Sequence, residues 1–174
     1  MKKKIINKKK GILFWITGLS GSGKTSIGKK IFPKVKNNFG PTILISGDDI
    51  RNIFELKKYD QESRIKYLNY YTKFCKNITD QGINVIFCVV GLSEKIRVDN
   101  KKIFVNYIEI FIKSKIKLIK KLNKKKTYLN KKNVWGIDIK PDFPKKPHIV
   151  INNKFTKSLN ELSIELMNKI KLIY

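Results

Sequence analysis

The segment Gly18-Leu19-Ser20-Gly21-Ser22-Gly23-Lys24-Thr25 constrains this chain more than any other. It fits the spacing G-x-x-x-x-G-K-[ST], and it lies between an apolar run, Ile12–Thr17, and a helix expected from about Lys24. A strand, a glycine-rich turn and a helix in that order point successive backbone N–H groups inward at a helix N-terminus, where partial positive charge favours an anion. Lys24 is expected to reach the β- and γ-phosphates of a nucleoside triphosphate, and the Thr25 hydroxyl to ligate Mg²⁺. A nucleoside triphosphate is therefore the expected cofactor, held by Gly18 through Thr25 and by Ser26.

The rest of the chain reads as parallel βαβ units, because short apolar runs alternate with helical periodicity. Thr42–Ser46 is expected as a second strand, Val85–Val90 as a third, Val105–Ile112 as a fourth and Ile149–Ile151 as a fifth. Pro33 is expected to end or kink the first helix near Phe32. A long helix is expected over 61–81, with Ile65, Leu68, Thr72, Cys75 and Ile78 on one face, and Ile116–Ile119 in a helix after the fourth strand. Ser158 and Glu161 have the spacing of a capping box that opens the last helix. The expected fold is α/β, a five-stranded parallel sheet with helices on both faces. At 174 residues the expectation is one domain, with residues 1–10 a basic extension and about 120–147 a surface lid and extended crossing.

Formal net charge is +26, yet only Arg51, Arg64 and Arg97 are arginine. Base-edge reading leans on the guanidinium fork, and the lysines are scattered, so no specific nucleic-acid partner is expected. Lys, Asn and Ile abound together, which A/T-rich codon bias explains. No apolar run spans a bilayer, so no membrane partner is expected. The stretch Ile12–Ile16 is shorter than a signal-peptide core, and Cys75 and Cys88 form no C-x-x-C, so a cytoplasmic chain with reduced, buried thiols is expected. His148 reads as a strand-edge residue, Trp15 as core, and Tyr70, Tyr71 and Phe74 as core plus solvated helix face.

Asp48 and Asp49 follow the second strand and should emerge at the carboxyl edge of the sheet, where open α/β sheets bind ligands. A small-molecule kinase needs a carboxylate there to hold the acceptor hydroxyl; capping of the next helix is the other use for these acids. No N-K-x-D motif for guanine is present, which counts against a GTPase.

Together, the run Gly18–Thr25, the run Ser46-Gly47-Asp48-Asp49-Ile50-Arg51 and the run Val134-Trp135-Gly136-Ile137-Asp138, with Pro144 and Pro147 beyond it, resemble the adenylylsulfate kinase (APS kinase) family from Ile12 to the last helix. The resemblance implies transfer of the γ-phosphoryl of ATP to the ribose 3′-hydroxyl of adenosine 5′-phosphosulfate, with Asp48 and Lys24 catalytic. It implies acceptor contacts from Asp48, Arg51, Tyr59, Arg64, Lys126 and Ile137, Lys126 lying in the lid. This chain departs from the family pattern at Ser46, Tyr67, Gly91, Leu122 and Val134, and its lid is shorter. Those departures gather on the acceptor side and the lid, not on the phosphate loop. A related branch that phosphorylates cytidine diphosphoramidate is the second expectation, since Asn133–Asp138 resembles that branch. A P-loop polyanion-binding protein is the alternative of another class. The expected partner is a small nucleotide substrate, with a homodimer left open.

Overall fold

A computed structural model describes Asn7, residues 9–122 and residues 133–174. Its centre is β1 (Ile12–Thr17), every residue of which is buried. The next elements are α1 (Lys24–Phe39), β2 (Thr42–Ser46), α2 (Gly47–Ile53), α3 (Gln61–Asp80) and β3 (Asn84–Cys88). They are followed by α4 (Glu94–Ile103), β4 (Asn106–Lys113), α5 (Ile116–Lys121), β5 (Ile149–Asn152) and α6 (Leu159–Lys171). The strands form one sheet in the order β2-β3-β1-β4-β5, and every pair is parallel.

Alternation along each strand sorts the core into two layers. Ile12, Phe14 and Ile16, with Ile86, Ile108 and Ile110, face the buried stripes Ile27–Ile31–Val35 of α1 and Leu162–Leu166–Ile170 of α6. Leu13, Trp15, Val85 and Phe87 face Leu68, Tyr71 and Cys75 of α3. Strands covered on both faces read as continuous apolar runs, which is why β1 and β3 stood out in the sequence.

The expected stop at Pro33 does not occur: α1 continues for a further turn and a half, to Phe39. Pro33 is exposed, so the Lys29 carbonyl that loses its helical donor faces water, while Ile31 and Val35 stay packed on the sheet. Both β3 and β4 differ from their expected bounds by one or two residues. Helix α4 had no counterpart among the expected elements. Among the described residues, no helix is long and apolar enough to cross a membrane.

Candidate active site

The carboxyl ends of β1, β2, β3 and β5 open onto one cavity of about 910 Å³. Four loops meet there: the glycine loop after β1, Gly47 and Asp48 after β2, Val89–Gly91 after β3 and Asn153–Lys157 after β5. Sheet order explains the convergence. The chain passes from β1 to the edge at β2, returns through β3 and then crosses β1 to β4 and β5, and the crevice opens where the order reverses.

On the phosphate side, Gly23 caps α1 with φ 95°, a left-handed conformation that glycine adopts without strain. At Gly18 a Cβ would lie 2.5 Å from the Ile112 carbonyl oxygen, so only glycine lets β1 turn there. The first turn of α1 holds no acidic residue, and Lys24, Thr25 and Ser26 line the cavity with Ser20, Gly21 and Gly23. This end of a 16-residue helix carries the positive pole of its dipole. Lys24 is largely buried, and its Nζ donates to the Leu19 carbonyl at 2.7 Å, which folds the ammonium back across the loop. Asn153 Nδ2 donates to the Ser22 carbonyl at 2.9 Å and so ties the loop to the end of β5. Gly18, Leu19 and Ser22 build the loop without lining the cavity.

Across the cavity, the two adjacent aspartates are separated by a cap. The Asp49 carboxylate accepts the Ser46 N–H at 2.8 Å while the Ser46 hydroxyl accepts the Asp49 N–H at 3.2 Å, a complete capping box. Asp49 is thereby engaged with the backbone, and Asp48 lines the cavity.

Arg51 and Arg64 both lie against one aromatic ring. The Arg51 guanidinium lies 4.5 Å from the Tyr59 ring centre and that of Arg64 lies 5.3 Å from it. Both are held by carbonyls: Arg51 Nη1 donates to Leu56 and Lys58, and Arg64 donates to Tyr59 and Asn133, the last two at 2.7 Å each. Neither is ion-paired with a carboxylate among the described residues. Burial, then the charge of Arg51, pulls the Arg64 guanidinium below its ordinary pKa. Two neighbouring cations, neither ion-paired among the described residues, suit an anionic ligand, and guanidinium forks match paired phosphate or sulfate oxygens.

The structure therefore brings Lys24, Thr25, Ser26, Asp48, Arg51, Tyr59 and Arg64 to one cavity. Ile137 is half exposed and outside the lining. Lys126 lies outside the described residues. Asn52, Tyr71, Asn153, Phe155 and Lys157 also line the cavity, and the sequence reading gave none of them a place in the site. Asn153 follows β5 at the carboxyl end of a strand, the same positional signal that singled out Asp48. Trp135 and Val134, both buried, close one side. His148 stands just before β5, where Nδ1 accepts the Glu109 N–H at 2.8 Å, away from the cavity.

The family model for adenylylsulphate kinase matches residues 10–152. A cytidine diphosphoramidate kinase of Campylobacter jejuni is 36% identical over 162 residues, covering 90% of this chain and 94% of that protein. An adenylyl-sulfate kinase of Clostridium kluyveri is 26% identical over 159 residues, covering 87% of this chain and 79% of the relative. The fold is that of the Mycobacterium tuberculosis APS kinase solved with AMPPNP and APS, with TM-score 0.83, 20% identity and coverage of 93% of this chain and 98% of that one. The chain is a phosphotransferase and belongs to the adenylylsulphate kinase family.

Proposed function

We propose that this kinase transfers the γ-phosphoryl group of ATP to a ribose hydroxyl of a nucleotide with an anionic 5′ group, and that cytidine diphosphoramidate is its preferred acceptor. The observation that carries the reading is the placement of Asp48 and the Arg51–Tyr59–Arg64 cluster in the same cavity as the phosphate loop. The choice of acceptor draws on the 36% identity to the cytidine diphosphoramidate kinase, against 26% to the Clostridium adenylyl-sulfate kinase. That order reverses the one the motifs suggested. Adenosine 5′-phosphosulfate is the second reading, supported by the family model.

In-line transfer through a loose transition state asks chiefly for positioning and charge neutralisation. Loop amides and Lys24 hold the triphosphate, and Lys24 exchanges its Leu19 carbonyl for phosphate oxygens. Thr25 at the first turn of α1 is a hard hydroxyl ligand facing the cavity, and it would hold Mg²⁺, which neutralises β/γ charge when bound. Asp48 accepts a hydrogen bond from the acceptor hydroxyl, aims its oxygen at the phosphoryl group and takes its proton late. Arg51 and Arg64 clamp the 5′ anion beside the Tyr59 ring.

The test is ADP release with cytidine diphosphoramidate and adenosine 5′-phosphosulfate side by side. The expected kcat/KM is higher for the cytidine compound. Faster turnover of adenosine 5′-phosphosulfate would reverse the acceptor choice, and no turnover of either would remove the proposal.

A further inference from the structure

Buried polar atoms in proteins are nearly always hydrogen-bonded, because an unpaired one loses its hydration with nothing in return. Tyr71 departs from that rule at the wall of the cavity. The residue is 3% exposed, its ring packs 5.3 Å from that of Phe87, and its hydroxyl has no hydrogen-bond partner among the described residues. Phenylalanine would fill the same volume without stranding a hydroxyl.

Where that residue sits gives the stranded group a use. Tyr71 lines the cavity with Asp48 and Arg51, and its ring edge lies against the start of α2: a Cβ on Gly47 would be 3.7 Å from Tyr71 Cε2. Burial raises the phenol above its ordinary pKa, and Arg51 and Asp48 both act on it, in opposite directions. The group is a protonated donor at neutral pH, in the field of the two residues assigned to the acceptor.

We propose that the Tyr71 hydroxyl is a specificity-determining group that donates a hydrogen bond to an oxygen of the acceptor nucleotide, beside the atoms held by Asp48 and Arg51. This rests on the kinase reading above. A site built to pair with a substrate oxygen discriminates strongly, because its own polar group goes unpaired when the wrong ligand binds. In the free protein the hydroxyl has no partner among the described residues to lose; in the complex it has one.

Tyr71→Phe separates these two states. With wild type and Tyr71→Phe, the acceptor is titrated at saturating ATP and ATP at saturating acceptor, using both nucleotides named above. Urea unfolding is measured without ligands. The expected result is an acceptor KM raised about tenfold, an unchanged KM for ATP, and an unfolding midpoint equal to or above that of wild type. A purely packing role would leave both KM values alone. Wild-type turnover with the same acceptor KM in Tyr71→Phe overturns the role of Tyr71 and leaves the kinase reading intact. A lowered unfolding midpoint overturns it too, since the hydroxyl would then have a partner in the free protein. Failure of wild type to use either nucleotide overturns both.

Discussion

Arg97 Nε lies 3.0 Å from Glu109 Oε1, and both side chains are buried between α4 and β4. The pair reaches the active site, because Arg97 Nη1 also donates to the carbonyl of Gly91, a cavity residue, at 3.3 Å. Lys101 Nζ meets the second carboxylate oxygen at 3.0 Å. One buried acid therefore balances two bases and anchors the loop after β3.

Removing that acid leaves a buried guanidinium without counter-charge. Glu109→Gln should lower the unfolding free energy by about 3 kcal/mol, read from urea denaturation. Adding Arg97→Met should restore part of the loss. An unchanged midpoint in Glu109→Gln would show that the pair contributes nothing to the fold.

On the proposed mechanism, Lys24 contributes its charge where it develops during transfer. Lys24→Ala should cut turnover by about a hundredfold or more, by analogy with loss of a preorganised transition-state donor, while circular dichroism stays that of wild type. Retained turnover would exclude the phosphate loop as the site of transfer.

Asp48 and Asp49 should part company when each loses its charge. Asp48→Asn should lose kcat with little change in stability. Asp49→Ala removes the capping box and should cost about 1 kcal/mol of stability while sparing most of kcat. Single-turnover rates and unfolding curves on the two variants decide it; equal rates for Asp48→Asn and wild type would remove the assigned role.

Arg51→Lys and Arg64→Lys keep the charge and lose the fork. Each should raise KM for the acceptor well above any change in KM for ATP, since both guanidiniums lie across the cavity from the phosphate loop. A matching rise in both constants would point to a general change in the cavity.

Neither cysteine should react in the native state. Burial pushes the Cys88 thiol up to about 12 and that of Cys75 higher still, so both remain protonated and enclosed at neutral pH. An aromatic disulfide reagent at pH 8 should titrate two thiols in urea and none without it.

Legibility in the sequence followed burial chemistry. β1, β2, β5, α3 and the α6 cap could be read directly because their buried positions are apolar or their caps are local. Helix α4 could not. Its buried residues are Ile96, Arg97 and Asn100, so the inward face carries a charge and an amide where periodicity looks for aliphatics. Arg97 is balanced by Glu109 from another element, a partnership no local window contains. At the site, the phosphate loop and Asp48 were legible from spacing and from position at a strand end. Tyr71 was read as core, which its ring is; where its hydroxyl ends up depends on how α3 packs beside α2.

The hydrogen bond from Asn153 to Ser22 has a consequence for the order in which the protein can be made. The phosphate loop follows the strand of this sheet that is synthesised first, and its tether follows the one synthesised last. Until the ribosome has passed residue 153, the Ser22 carbonyl lacks the partner that holds the loop to β5, and β4 lacks its outer neighbour. A nascent chain that already carries the whole Gly18–Thr25 signature is therefore not yet the pocket seen in the finished protein. Nucleotide capture during translation should begin only once the fifth strand has emerged.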